Sequence, residues 1–263
     1  MSKTSVNGVE IEYYQEGEGP PLLMLAGVGS HSGSWGPRFL DAIRKKFTVV
    51  RVTNRGMGQS SIDGTPLTQR LMADDAAAVL RSLGIDRTHV FGYSMGGYIA
   101  QEFALAYPEM VDKLVLGCTN CGPARSLPQS PEELTSVGRI MSAAAGDQVR
   151  GFCLVMVSDE FAETEGAYME ELIAIHRGTS MEAFGRQMLA IQAFDSLDRV
   201  GGIQAETLVI YGDRDLIMSH QNAGLLASRI PGATVEMMPG VGHMFMWERP
   251  DETVDTLVKF LGA

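Results

Sequence analysis

Gly92-Tyr93-Ser94-Met95-Gly96 follows an apolar run, Thr88-His89-Val90-Phe91, and leads into a segment whose residues Ile99, Ala100, Phe103, Ala104 and Tyr107 repeat at helical spacing until Pro108. A serine between two glycines at such a junction sits on a tight strand-to-helix turn, with its hydroxyl lifted above the sheet edge. The glycines have a mechanical role there: the turn strains the serine backbone, and side chains at 92 and 96 would collide with the neighbouring strand and helix. Three fixed residues are a weak pattern alone, and a Gly-rich turn with a solvated serine is the plain alternative. The strand before and the helix after make Ser94 a candidate nucleophile.

Working outward, Val9-Glu10-Ile11-Glu12-Tyr13 alternates like a half-exposed strand, whereas Leu22-Leu23-Met24-Leu25-Ala26 is apolar throughout, like a strand covered on both faces. A helix around Trp35 to Lys45 follows, then a strand from Phe47 to Val52. Next comes a helix with Met72, Ala76, Val79, Leu80 and Leu83 on one face, ended by Gly84. With the strands His89 to Gly92 and Lys113 to Gly117, this order predicts an α/β domain with a mostly parallel sheet and helices on both faces. From 123 to 202 the sequence reads as helices only, such as Pro131 to Ala145 and Met181 to Phe194, and is expected to form an inserted helical cap. Residues 1–122 and 203–263 form the core; its second part holds a strand Thr207 to Tyr211, a helix Gln221 to Arg229, a short strand Thr234 to Met237 and a terminal helix through Leu261.

The chain has 263 residues, 45% of them hydrophobic, enough for one sizeable core. Its 21 Lys and Arg against 32 Asp and Glu give a net charge of -11, which repels nucleic acid and acidic membrane surfaces and favours a small neutral or apolar substrate. The N-terminus lacks a basic segment followed by an apolar stretch, and no apolar run is long enough to span a bilayer, so a soluble, cytoplasmic protein is expected. Cys118, Cys121 and Cys153 include one Cys-x-x-Cys spacing, but Gly122-Pro123 stands where a redox motif needs a helix, and free thiols are expected. Oligomeric state, including a homo-oligomer, stays open.

A serine hydroxyl needs a base, and the base an orienting group. Gly212-Asp213-Arg214-Asp215 leaves one buried strand and Gly240-Val241-Gly242-His243 leaves the last one, giving the order Ser, Asp, His that a nucleophile on such a turn requires. Ligands of parallel sheets bind beyond the carboxyl ends of the strands, where all three loops emerge.

These stretches, with Leu25-Ala26-Gly27-Val28-Gly29 and Asn54-Arg55-Gly56-Met57-Gly58-Gln59-Ser60, make the chain resemble the α/β-hydrolase superfamily over nearly its whole length except the cap. Within it the chain looks most like small serine esterases and 3-oxoadipate enol-lactone hydrolases. The resemblance implies the α/β-hydrolase fold with an eight-stranded sheet, and Asp215 as the acid through the pattern Gly-x-x-Asp, with Asp213 held at the turn. It also implies an oxyanion hole from the backbone amides of Val28 and Met95. His243 is the expected base: His89 lies at the wrong end of the sheet, His176 in the cap and His220 at a helix start, while His31 could approach the pocket as its one rival or as a substrate contact, although a lone loop histidine is more often solvated. Relatives commonly carry His-Gly where this chain has Ala26-Gly27, so the bonds that brace that loop must be replaced or absent. The Asn54 to Ser60 turn reads as structural.

The expected activity is cofactor-independent and metal-independent hydrolysis of small, largely apolar carboxylic esters or lactones through an acyl-enzyme. Because the base must be neutral, activity should rise with pH through the ordinary histidine region at about 6.5. Carbon–carbon bond hydrolysis of aromatic ring-cleavage products uses the same groups, with Arg177 and Arg186 as carboxylate partners. Perhydrolysis, with peroxide in place of water, and a non-catalytic small-molecule receptor complete the alternatives. Among the 16 methionines, Met141, Met156, Met169, Met181 and Met188 of the cap either face the cleft or fill the cap core.

Overall fold

The computed structural model describes residues 1–262. In chain order it contains β1 (Ser2–Val6), β2 (Val9–Glu16), β3 (Pro21–Leu25), α1 (Pro37–Ile43), β4 (Thr48–Val52), α2 (Gln69–Ser82), β5 (Thr88–Tyr93), α3 (Met95–Ala106) and β6 (Val111–Gly117). Then come α4 (Pro131–Ala143), α5 (Gln148–Val155), α6 (Asp159–Thr164), α7 (Gly166–Arg177) and α8 (Met181–Ala193), with no strand among them. The chain ends with β7 (Glu206–Gly212), α9 (Asn222–Arg229), β8 (Thr234–Met238), α10 (Phe245–Glu248) and α11 (Pro250–Leu261).

The strands form one eight-stranded sheet in the order β1-β2-β4-β3-β5-β6-β7-β8. β1 and β2 are antiparallel to their neighbours, and every pair from β4 to β8 is parallel. This is the α/β-hydrolase architecture the sequence predicts. The central strands are covered on both faces, with Leu22 to Leu25, Val90, Phe91, Leu114 to Leu116, Val209 and Ile210 wholly buried, which is why they read as unbroken apolar runs. The connection from β3 runs to β4 on one side, and the chain then returns to β5 on the other. Loops after β3 and β5 therefore diverge and open a crevice at the carboxyl edge.

One strand differs from the sequence reading: Ser2–Val6 is β1, paired in register from Ser2 with Tyr13 to Val6 with Val9. Its partner β2 is reached through Asn7 and Gly8, both with positive φ (48° and 79°), the twist a two-residue hairpin needs. No helix of the described residues is long and apolar enough to cross a membrane.

The Asn54 to Ser60 turn is structural, as expected. Arg55 is 1% exposed; its Nη2 donates to Asp75 Oδ1 of α2 at 2.8 Å and to the Asn7 carbonyl at 3.2 Å, so one guanidinium ties the turn, the helix and the first hairpin together. Removing it leaves the buried Asp75 carboxylate without its counter-charge, with the Asn7 Nδ2 donor at 2.9 Å remaining. Arg55→Ala should therefore cost about 3–5 kcal/mol, read as a lower urea midpoint at unchanged slope. A midpoint equal to wild type would show that water replaces the guanidinium.

Candidate active site

Ser94 occupies the turn between β5 and α3 with φ 56° and ψ −126°; Asn7 and Cys118 are the other described non-glycine residues with positive φ. Such a conformation costs on the order of 1–3 kcal/mol and persists where its surroundings over-determine it. Here the Ser94 amide donates to the Gly117 carbonyl at 2.9 Å, and the Ser94 carbonyl accepts from Thr119 Oγ1 at 2.8 Å and from the Gly97 amide at 2.9 Å. The flanking glycines are sterically required: a Cβ at Gly92 would lie 2.2 Å from the Gly96 carbonyl oxygen. α3 begins at Met95, so its first amides, which have no partner within the helix, emerge beside the serine.

The loops after β7 and β8 bring Asp215 and His243 together. Asp215 is fully buried; its Oδ1 accepts from the Ile217 and Met218 amides at 2.8 and 2.9 Å, and its Oδ2 accepts from His243 Nδ1 at 2.7 Å. A carboxylate so held can only accept. Nδ1 must carry the ring proton, which leaves Nε2 with a free lone pair when the ring is neutral. Asp213 stays at the turn, where it accepts from the Gly240 amide at 2.7 Å. Behind the histidine, Glu248 accepts from the amides of Gly242 at 2.9 Å and Ser158 at 3.2 Å, and burial raises its pKa above the ordinary carboxyl value.

Cys118, Asp215 and His243 present ligand-type atoms within 4.8 Å of one another. The thiol pKa is pushed well up by burial and then by the Asp215 charge, so the sulfur stays a protonated thiol beside a carboxylate that already accepts three hydrogen bonds, from the Ile217 and Met218 amides and from His243. All three cysteines are free and buried, and burial raises Cys121 to about 11 and Cys153 to about 12. The raised thiols at both Cys118 and Cys121 do not fit a reactive dithiol at that spacing.

The loop after β3 lies directly against the serine, since a Cβ on Gly27 would approach Ser94 Cβ to 3.1 Å. Its bracing, which the Ala26-Gly27 departure left unassigned, comes largely from the helices above. The Gly29 amide donates to Gln187 Oε1 of α8 at 2.9 Å, and the Gly29 carbonyl accepts from Thr179 Oγ1 at 2.8 Å. Ser30 Oγ and Tyr93 OH are 3.2 Å apart and close the other side. Among the described residues, neither the Val28 nor the Met95 amide donates to a protein acceptor.

Ser94, His243 and Val28 line one cavity of about 200 Å³, whose remaining wall is mostly apolar, including Phe152, Met156, Phe184, Met188 and Ile217. Thus Met156 and Met188 face the cavity, Met169 is buried in the helical layer, and Met141 and Met181 are exposed. A larger cleft of about 510 Å³ lies under α4, but it is lined by charged groups such as Glu132, Arg139, Asp159 and Arg214, and none of the three convergent residues reaches it.

Two alternatives are set aside and one reading is corrected. His31 does not reach the cavity: its Nδ1 accepts from the Gly33 amide at 3.0 Å, and the ring borders a separate cleft beside Gln59. Arg177 is paired with Asp147, and Arg186 donates to the carbonyls of Asp63 and Thr65 at 3.0 and 2.7 Å, so neither guanidinium faces a ligand in the cavity. Conversely His176, set aside as a cap residue, lines the cavity with Ser94.

Residues 22–256 match the sequence profile described as the alpha/beta hydrolase family. The chain is 28% identical, over 99% of its length and 94% of the relative, to a 2-hydroxy-6-oxo-6-phenylhexa-2,4-dienoate hydrolase of Comamonas testosteroni. It is 30% identical, over 92% of its length and 84% of the relative, to a poly(3-hydroxyalkanoate) depolymerase of Ectopseudomonas oleovorans. In fold it superposes on the enol-lactonase of Burkholderia xenovorans with a TM-score of 0.86 over 100% of both chains, at 24% identity.

Proposed function

This chain belongs to the alpha/beta hydrolase family, and we propose that within it the protein is a serine hydrolase of small, largely apolar carboxylic esters or lactones. The observation that carries the reading is the 2.7 Å bond from His243 Nδ1 to the buried Asp215, with His243 and Ser94 on one apolar cavity. Ser94 Oγ attacks the carbonyl while His243 Nε2 takes its proton, and Asp215 fixes the tautomer and stabilises the imidazolium. The amides of Val28 and Met95 hold the developing oxyanion, each worth roughly 2.7–4 kcal/mol in the transition state. His243 then returns the proton to the leaving oxygen and activates water, which releases the acid from the acyl-enzyme. Residues 123–202 act as a cap that closes the cavity over the acyl group.

The cavity volume of about 200 Å³ lies below the roughly 300–1,000 Å³ of drug-sized sites, so a short acyl chain fits. The names of the relatives span dienoate cleavage and polyester depolymerisation, and so leave the bond open. The ester or lactone is favoured over a ring-cleavage acid because no Lys or Arg lines the cavity to receive a substrate carboxylate. Fluorophosphonate labelling followed by peptide mapping tests the reading, with a panel of acyl chain lengths, lactones and dienoic ketone acids alongside. Modification at Ser94 and turnover falling as the acyl chain lengthens are expected; a folded protein that stays unlabelled and hydrolyses none of the panel would end it.

The grip on Gly29 makes a separate expectation. Gln187→Leu removes the acceptor of the Gly29 amide and loosens the loop that carries Val28. If that loop holds the oxyanion, kcat falls about tenfold while KM for a short ester stays within about twofold. An unchanged kcat would mean that Thr179 and Tyr93 suffice.

A further inference from the structure

His176 sits on α7 and is 8% exposed, and it lines the same cavity as Ser94 and His243. Its Nδ1 lies 2.9 Å from the Leu172 carbonyl one turn back on the same helix. A carbonyl only accepts, so Nδ1 carries the proton and turns back onto the helix, leaving the distal Nε2 edge with a lone pair. Among the described residues, no protein group donates to that nitrogen. The ring is seated by Phe152, whose centroid is 6.3 Å away at a tilt of 64°. Burial lowers the His176 pKa and outweighs the upward pull of the Leu172 bond, with a lesser lowering from the nearby His31, which favours the neutral ring. The other cavity-lining side chains from this helical layer, Phe152, Met156, Phe184, Met188 and Ile191, are apolar. A ligand that covers this acceptor with an apolar group leaves it unmatched at a cost, and a ligand donor satisfies it.

We propose that His176 Nε2 is an acceptor subsite that selects acyl groups bearing a hydrogen-bond donor, a hydroxyl or an amide N–H, away from the carbonyl that Ser94 attacks. The proposal rests on the hydrolase reading for its catalytic meaning, but its chemistry is one of binding. A neutral acceptor discriminates by what it leaves unsatisfied. A substrate carrying a methyl at the matching position buries Nε2 without a partner, whereas a hydroxyl there satisfies it, and one neutral hydrogen bond corresponds to a preference of about tenfold. Charged acyl groups gain nothing comparable, because the ring holds no positive charge to receive a carboxylate. His176 thus adds one polar requirement to a cavity whose shape otherwise selects only by size.

The test uses matched p-nitrophenyl esters in which a hydroxyl and a methyl replace each other at successive positions of a short acyl chain. In wild type, the hydroxyl member should have the higher kcat/KM at one position, by about tenfold. His176→Phe, which keeps an aromatic ring against Phe152, should reverse that ratio, and His176→Asn, which retains an acceptor, should restore part of it. The same pairs titrated calorimetrically into Ser94→Ala, with and without His176→Phe, read the subsite apart from catalysis. A binding preference that His176→Phe abolishes upholds the subsite even when no ester is turned over, and in that case the hydrolase reading alone falls. Ratios that are the same with His176 and with Phe, or a preference for methyl at every position, overturn it. Should the variants fail to fold, nitrogen NMR of the wild-type ring decides. Nδ1 protonated, with an Nε2 signal that moves on adding the hydroxylated ester, is expected, and a proton on Nε2 refutes the assignment.

Discussion

Ser94→Ala should lower turnover of a short-chain ester by roughly 10⁴ to 10⁶ and abolish fluorophosphonate labelling while leaving the fold intact. On the proposed mechanism the size of the effect follows from a relay that acts as a unit: without the hydroxyl, His243 would have no nucleophile to deprotonate, and only the oxyanion donors and binding would remain. His243→Ala should be comparable. Asp215→Ala should be milder in turnover, because the imidazole survives, although it loses the partner that fixes its tautomer and stabilises the imidazolium. It carries a structural cost that Ser94→Ala does not, since Asp215 Oδ1 also receives the Ile217 and Met218 amides, which would be stranded beside a buried vacancy. Turnover and melting temperature measured together separate the two. A folded Ser94→Ala that hydrolyses esters at the wild-type rate would remove Ser94 from the chemistry altogether.

The parts of this arrangement that the sequence discloses are those fixed by local geometry. Gly92, Ser94 and Gly96 are legible because a strand-to-helix turn has one solution, and Asp215 and His243 because each leaves a strand at the same edge of a parallel sheet. The β1 strand also has a readable signal, Asn7-Gly8 before the alternating Val9 to Tyr13, in which both turn residues adopt the positive φ that the dipeptide favours. Gln187 and His176 are different. Helical periodicity tells which residues of α7 and α8 share a face, not which face comes down over the crevice, and Gln187 meets Gly29 from 158 positions away in sequence. Arg177 and Arg186 mislead for a related reason: Asp147 meets Arg177 only when α5 and α7 pack together within the helical layer, and the carbonyls of Asp63 and Thr65 meet Arg186 only once that layer lies against the core.

Gly96→Ala should be among the most damaging single-methyl changes in the chain. A Cβ there would lie 1.9 Å from the Leu25 carbonyl oxygen and 2.8 Å from that of Ala26, which are backbone atoms that no rotamer change can move. β3 would have to shift away from α3, yet Leu25 is locked between Val52 of β4 and Gly92 of β5. Overpacking of this kind costs about 1–3 kcal/mol where side chains can yield, and a backbone clash in the sheet centre should exceed that range. The residues that must move lead directly into the Gly27 to Gly29 loop, so whatever protein still folds should also lose most of the hydrolytic turnover proposed for it. Gly138 supplies the control. It lies within α4, where nothing approaches an added Cβ within 4 Å, and Gly138→Ala should stabilise by roughly 0.5–1 kcal/mol through helix propensity alone. Urea unfolding of both variants measures the contrast. Equal midpoints would mean that the β3–α3 approach is soft, and that the glycine at 96 is not what permits the turn at Ser94.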